Sequence, residues 1–438
     1  MSELHMRYDR GTMVTFRNRV PRRLAHPAVV LATLALCAAI LLPAERGYAF
    51  SISEAVSLYP EAPEIDARSA ILLDYDSATV LFEHNADEII PPASLTKVVG
   101  MHTVFEAVDR GEAALTDLVE VPEHAWARNM PRYSSLMFLG PDQEVTLEEL
   151  VYGLAIPSGN DAAIAVAEHI ADGVPEFVAQ MNEEMRRLGL ERTRFVEPSG
   201  LSPENQTTAR EFLQFLYDYL ERRPDALERF HALEEYAYPL DRNRSPGNGE
   251  PTITQRNRNV LLREYDGADG IKTGYIPASR YNLAFSAERD GRRLIGVLLG
   301  VPGDTHLEGS AERARQAAAL LDYGFEEFET VTLGHPDPEP VPVWFGSAPE
   351  AAVYPDDHDT VALPRGAIER LEGEIVLPRE REAPLYADER LGEVRYSVAG
   401  VPVHTRALYV AETVERGPWW RVVWDHLRRF FLRLADRF

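Results

Sequence analysis

Pro91-Pro92-Ala93-Ser94-Leu95-Thr96-Lys97 is the stretch around which the rest of the chain is read. Two prolines fix an extended approach. Val98, Met101, Val104, Phe105 and Val108 follow at helical spacing, so a helix starts here and ends near Gly111. Ser94 stands at its first turn. Lys97 is three residues on and shares a face with it. That face continues into the apolar stripe, which points both side chains toward the core. A hydroxyl beside an amine at a helix N-terminus is a candidate activated nucleophile. Alone the pattern is weak, since Ser-x-x-Lys is expected by chance about once in a chain of this length. The plain alternative is a capping serine followed by a snorkelling lysine.

The chain of 438 residues is long enough for two or more domains. Its 45 basic and 70 acidic residues give a net charge of −25, so no nucleic-acid partner is expected. Cys37 is the single cysteine and lies in a segment expected to be removed, which leaves no disulfide or thiol chemistry. Lysine occurs only at 97 and 272. A solvated surface could use either cation, so two isolated lysines call for an explanation.

Residues 1–49 read as an export signal. Arg17, Arg19, Arg22 and Arg23 are basic, Ala28 to Leu42 is apolar apart from Thr33, and Gly47-Tyr48-Ala49 is a cleavage site. An uncleaved anchor is the alternative, but the apolar run is short for a span of ~20 residues.

Further on, Ala70–Leu73 and Thr79–Phe82 read as strands around a turn at Asp76-Ser77. Thr146 with Glu149, and Thr208 with Glu211, have the spacing of capping boxes. Pro157-Ser158-Gly159-Asn160-Asp161 breaks one helix before another begins at Ala162. Helices are also expected over Val174–Leu188, Ala209–Leu220 and Arg313–Tyr323, the last stopped by Gly324. Gly270–Gly274, Tyr281–Ala287 and Leu294–Val301 read as strands, with a hairpin at Asp290-Gly291. Strands at both ends with helices between indicate an α+β domain with a mainly antiparallel sheet. From about Thr330 short strand-like runs suggest a small all-β module, including Val401–Val403 and Leu408–Val410 as separate runs.

Residues 418–438 carry Trp420, Val423, Trp424, Leu427, Phe430, Phe431, Leu434 and Phe438 on one helical face. Six arginines against three acidic residues lie over 415–438. This composition suits a helix lying in a membrane interface, with packing against the protein or a dimer contact as alternatives.

Ser158-Gly159-Asn160, in the helix break, and Lys272-Thr273-Gly274, on a strand, complete a set with Ser94-Leu95-Thr96-Lys97. Each tripeptide alone is ordinary. Together, in this order and holding both lysines, they are specific. The chain resembles the serine-type D-alanyl-D-alanine carboxypeptidases, which are low-molecular-mass penicillin-binding proteins. Ile156-Pro157, Glu197-Pro198-Ser199-Gly200-Leu201, Thr207-Thr208-Ala209-Arg210, Asn257-Arg258-Asn259 and Asp269-Gly270-Ile271 extend the likeness, which is strongest over residues 50–328.

The resemblance implies an α+β fold, with a penicillin-binding/β-lactamase-like transpeptidase domain over 50–328. A small β-rich domain over 329–414 and an amphipathic membrane-anchor helix over 415–438 would follow. It implies Ser94 as nucleophile, Lys97 as general base, Ser158 as proton relay, and Asn160 holding Lys97 and the substrate amide. Lys272 and Thr273 would receive the terminal carboxylate, with Arg258 a further candidate. Gly274 would let the substrate lie close to the strand. The backbone N–H groups of Ser94 and Tyr275 would form the oxyanion hole. No metal or cofactor is implied. The partners would be peptidoglycan stem peptides, β-lactams as inhibitors, and a membrane surface outside the cytoplasm.

Tyr275 stands where the best-known members have His, and Arg280 where Gly is usual. A β-lactamase, an endopeptidase and a non-catalytic wall-binding protein are the competing readings. The β-lactamase needs a deacylating Glu; Glu197 could serve, but it lies in a stretch that the carboxypeptidase resemblance accounts for.

Overall fold

The computed structural model describes residues 3–7, 13–17, 54–244, 251–334, 337–357 and 359–435. Its described residues divide into two compact units, one within residues 61–327 and one holding 3–7, 13–17, 54–60 and the described part of 328–435. The export signal expected over 1–49 falls outside the described residues, except for the paired strands Glu3–Arg7 and Met13–Arg17.

In the larger unit, β1 (Ser69–Asp74) and β2 (Thr79–His84) form a hairpin. The helices follow: α1 (Thr96–Asp109), α2 (Leu147–Ala155), α3 (Asn160–Ile170), α4 (Val174–Arg187) and α5 (Ala209–Arg222). The chain then returns through β3 (Ala268–Ile276), β4 (Arg280–Arg289) and β5 (Arg292–Val301) to α6 (His306–Glu327). The five strands make one antiparallel sheet in the order β2-β1-β5-β4-β3, with β3 at an edge. Asp290 and Gly291, at φ 53° and 75°, form the two-residue turn between β4 and β5. Left-handed values at both central positions match the twist of the flanking strands.

Both faces of the sheet are covered. Ile71, Leu73, Ile295, Val297 and Leu299 share one core with helices α1 to α5. Leu72 and Leu294 alternate with them and meet α6 on the other face. Gly324 therefore does not stop α6. It lies inside the helix, where an added Cβ would fall 2.6 Å from Leu294 Cδ1 and 3.1 Å from Leu72 Cδ2. Thr146 and Glu149 form the expected reciprocal box at the start of α2. At α5 only half of the box forms. Thr208 Oγ1 accepts from Glu211 N at 3.0 Å, while the Glu211 carboxylate takes Arg192 N and Thr193 Oγ1 instead.

In the smaller unit, Leu371–Val376, Arg390–Val398, Val401–Val410 and Val353–Pro355 pair in that order, with Met13–Arg17 beside the first. The runs at 401–403 and 408–410 are one strand. The final helix, α7 (Trp419–Ala435), meets this unit through its polar side. Asp425 is buried and accepts from Phe345 N at 2.7 Å. The His426 ring lies 4.5 Å from that of Phe345, and Arg429 pairs with Glu380 at 3.1 Å and with Glu382. Trp420, Trp424, Phe430 and Phe431 remain 59–65% exposed. Among the described residues, no helix is long and apolar enough to cross a membrane.

Candidate active site

Ser94 sits in a single 3-10 turn, Ala93–Leu95, that leads directly into α1. Lys97, in the first turn of α1, is fully buried. Its Nζ lies 3.2 Å from Ser94 Oγ and donates to Asn160 Oδ1 at 2.8 Å and to the Ser199 carbonyl. Burial is the largest influence on this amine and brings its pKa down to about 7. The Arg258 charge acts in the same direction, while Glu197 and Asp161 oppose it. A neutral amine has two N–H groups and one lone pair. Asn160 Oδ1 and the Ser199 carbonyl are pure acceptors and take both N–H groups. The lone pair is then left for the Ser94 hydroxyl hydrogen.

Ser158 and Asn160 lie where α2 ends and α3 begins. Ser158 has φ 63°, in the left-handed region, and its buried Oγ has no hydrogen-bond partner. A strained residue carrying a buried free hydroxyl is characteristic of a functional position. Asp161 fixes the geometry here. Its carboxylate accepts from Met137, Phe138 and Leu139 N at 2.8, 2.8 and 3.1 Å, and Asn160 N donates to Ser135 O at 2.8 Å. The loop 135–139 and the start of α3 are thereby held together.

The edge strand β3 brings Lys272, Thr273, Gly274 and Tyr275 alongside Ser94. An added Cβ at Gly274 would fall 2.8 Å from Pro92 O and 3.1 Å from Ser94 N. The close approach to the protein's own Ser94 turn is by itself enough to require glycine here. Lys272 is buried, and its Nζ donates to Thr273 O at 3.3 Å. Burial and the charges of Lys97, Arg258 and Arg313 hold its pKa well below the ordinary lysine value.

A cavity of about 680 Å³ opens onto this arrangement, with Ser94, Ser158, Asn160, Thr273, Gly274 and Arg258 in its wall. Neither lysine lines it. Tyr275 does, its ring tilted against Tyr281 at 4.6 Å and edge-on to His306 at 4.7 Å. Arg280, with φ 61°, holds a backbone conformation that favours glycine, which accounts for glycine being usual there.

Three supporting groups escaped the sequence reading. The Ser199 carbonyl is one, and the Glu197 loop aims it. Glu197 accepts from Ser199 N at 2.7 Å, Gly200 N at 2.7 Å, Ser202 N at 3.1 Å and Asn205 Nδ2 at 3.1 Å. Gly200 is the second. At φ 83°, an added Cβ would fall 1.9 Å from Ala93 O. Both lie in the quoted stretch Glu197–Leu201, which was the only signal. The third is Arg313, buried in α6, which donates to Arg258 O at 3.1 Å and Gly274 O at 3.5 Å. An arginine in an amphipathic helix gives no sign of such a role.

The chain is similar to known proteins over most of its length. Residues 57–303 match the family described as D-alanyl-D-alanine carboxypeptidase, and 328–416 match the C-terminal domain of penicillin-binding protein 5. D-alanyl-D-alanine carboxypeptidase DacC of Escherichia coli K12 is 36% identical over 377 residues, covering 85% of this chain and 90% of the relative. DacA of the same organism is 33% identical over 422 residues, covering 95% and 98%. The crystal structure of penicillin binding protein 5 from Haemophilus influenzae superposes with a TM-score of 0.72 at 30% identity, covering 82% of this chain and all of that one. The protein therefore belongs to the D-alanyl-D-alanine carboxypeptidase family and is a serine-type hydrolase.

Proposed function

We propose that the enzyme removes the terminal D-alanine from peptidoglycan stem pentapeptides through an acyl-enzyme on Ser94, and that penicillins acylate the same oxygen. The observation that carries this reading is the position of Lys97. It is buried, its pKa falls to about 7, and two fixed acceptors leave its lone pair toward Ser94. Lys97 takes the hydroxyl proton as Ser94 Oγ attacks the carbonyl between the two D-alanines. The backbone N–H groups of Ser94 and Tyr275 receive the developing oxyanion. Ser158, whose hydroxyl is otherwise unpartnered, passes the proton to the leaving amine. Asn160 holds Lys97 and the substrate amide. Thr273 meets the terminal carboxylate at the cavity wall, Arg258 supplies countercharge, and the incoming carboxylate favours the charged form of Lys272 beside it. Water then releases the shortened peptide.

Glu197 is fully engaged by the N–H groups of its own loop, which argues against its serving as the deacylating base of a β-lactamase. Residues 1–49 act as an export signal in this reading. Residues 415–438 hold the catalytic domain at the outer face of the cytoplasmic membrane through the exposed side of α7. The test is incubation of the purified protein with diacyl-Lys-D-Ala-D-Ala and with penicillin. Free D-alanine and a slowly lost penicillin adduct are expected. Rapid penicillin turnover without D-alanine release would make it a β-lactamase.

A further inference from the structure

His231 lies outside every motif, yet it reaches the strand that carries Lys272. It closes a single π-type turn, Leu227–His231, between α5 and β3. The ring is fully buried. Nδ1 is 3.1 Å from the Ile271 carbonyl and Nε2 is 2.9 Å from the Tyr219 hydroxyl on α5. A carbonyl can only accept, so Nδ1 carries the hydrogen and Nε2 accepts from Tyr219. Burial, with the Lys272 charge acting in the same direction and the Ile271 bond opposing, brings the imidazole pKa down to about 4. The ring is therefore neutral at ordinary pH and adds no charge beside Lys97, Lys272, Arg258 and Arg313.

The contact extends along the start of β3. Asn259 Nδ2 donates to Gly270 O at 2.8 Å, next to the carbonyl that His231 holds. An added Cβ at Gly270 would fall 3.0 Å from Leu227 Cδ2 and 3.3 Å from His231 Cβ, so the turn packs directly on the strand. Lys272 is the next residue after Ile271. It is buried and its Nζ donates to Thr273 O at 3.3 Å, so a displacement of the strand backbone at Ile271 would carry the amine with it.

We propose that His231 is a positioning residue for the carboxylate clamp, bridging Tyr219 and the Ile271 carbonyl so that Lys272 is set for a ligand's terminal carboxylate. This rests on the carboxypeptidase reading of the site. His231 touches no reacting atom, so its loss would weaken recognition of the carboxylate and leave attack by Ser94 intact.

The test compares two ligands of the full chain. One is diacyl-Lys-D-Ala-D-Ala, which ends in a carboxylate. The other is an N-acyl-D-boroalanine, which bonds to Ser94 and has no carboxylate. His231→Leu should raise KM for the peptide about ten-fold, the loss of a buried hydrogen bond, with kcat and the boronate Ki unchanged. His231→Asn places an amide N–H near the Nδ1 position and should restore KM to within about threefold of the parent. Tyr219→Phe, which leaves the Ile271 bond in place, should shift KM in the same direction by a smaller factor and keeps the test available if His231→Leu does not fold. Unchanged KM in both His231→Leu and Tyr219→Phe, or equal worsening of KM and the boronate Ki, would overturn the proposal. Failure of the parent protein to release D-alanine would instead refute the functional reading, and is seen before any variant is made.

Discussion

The Ser94 cleft and the outer face of α7 both invert the ordinary rule of folding. In the cleft, two lysines are buried within one site. On α7, three tryptophans and two phenylalanines stand in solvent. Each inversion costs free energy in the isolated chain, and each would be relieved by a partner of matching chemistry. A carboxylate suits the cleft, and a lipid interface suits the helix. The two differ in how they are held. The cleft is fixed by backbone groups from distant loops. The helix is held on its polar side by Asp425, His426 and Arg429, which leaves its apolar side outward.

The largest expected effect is on the cleft side. Ser94→Ala should lower kcat by at least about 10⁴-fold, as loss of a serine nucleophile does. Its melting temperature should remain near that of the parent, and D-alanine release assays with a thermal melt check both. Residual hydrolysis within tenfold of the parent would remove Ser94 from the mechanism.

Gly200→Ala comes next. The new Cβ would overlap Ala93 O and push the Ser94 turn out of place. A shift near 1 Å is expected to cost about 10²-fold in kcat. Steady-state kinetics on folded variant protein decide this.

The pH profile sharpens the contrast further. With Lys97 at about 7, kcat/KM should fall as pH drops below that value, because protonation removes the lone pair facing Ser94. The stability consequence has a definite sign. Between about 7 and the ordinary lysine value of 10.5, the unfolded chain binds a proton at Lys97 that the folded chain does not. This group's contribution therefore makes the fold more stable as pH rises through that window. Lys97→Met should flatten that contribution, which denaturant titrations at pH 7 and 10 would detect.

On the helix side, deletion of residues 416–438 should move the protein from membrane vesicles to the soluble fraction without changing kcat toward the soluble tripeptide. An unchanged distribution would mean that α7 is not the anchor. Smallest is Asp425→Ala, which strands the buried Phe345 N–H. It should destabilise the smaller unit by ~1–3 kcal/mol, read by calorimetry.

Much of this was legible in the chain, and the exceptions have physical causes. Ser94, Lys97, Ser158, Asn160 and Lys272 stand together because side-chain chemistry leaves a pattern in the residue types. The Ser199 carbonyl does not, because any residue could supply a backbone oxygen. Only the fold of the Glu197 loop aims it at an amine 102 positions away. Gly324 reads as a helix stop because local preference favours that outcome. Tertiary packing against Leu72 and Leu294 overrides it. His231 and Arg313 carry no signal at all, since their partners are carbonyls of β3, the carbonyl of Arg258 and a buried tyrosine hydroxyl.

The most direct test of the account is peptide mapping by mass spectrometry after brief exposure to penicillin. The account predicts one covalent adduct per chain, on Ser94, absent from Ser94→Ala and formed more slowly below pH 7. An adduct on another residue, or one that persists in Ser94→Ala, would contradict it.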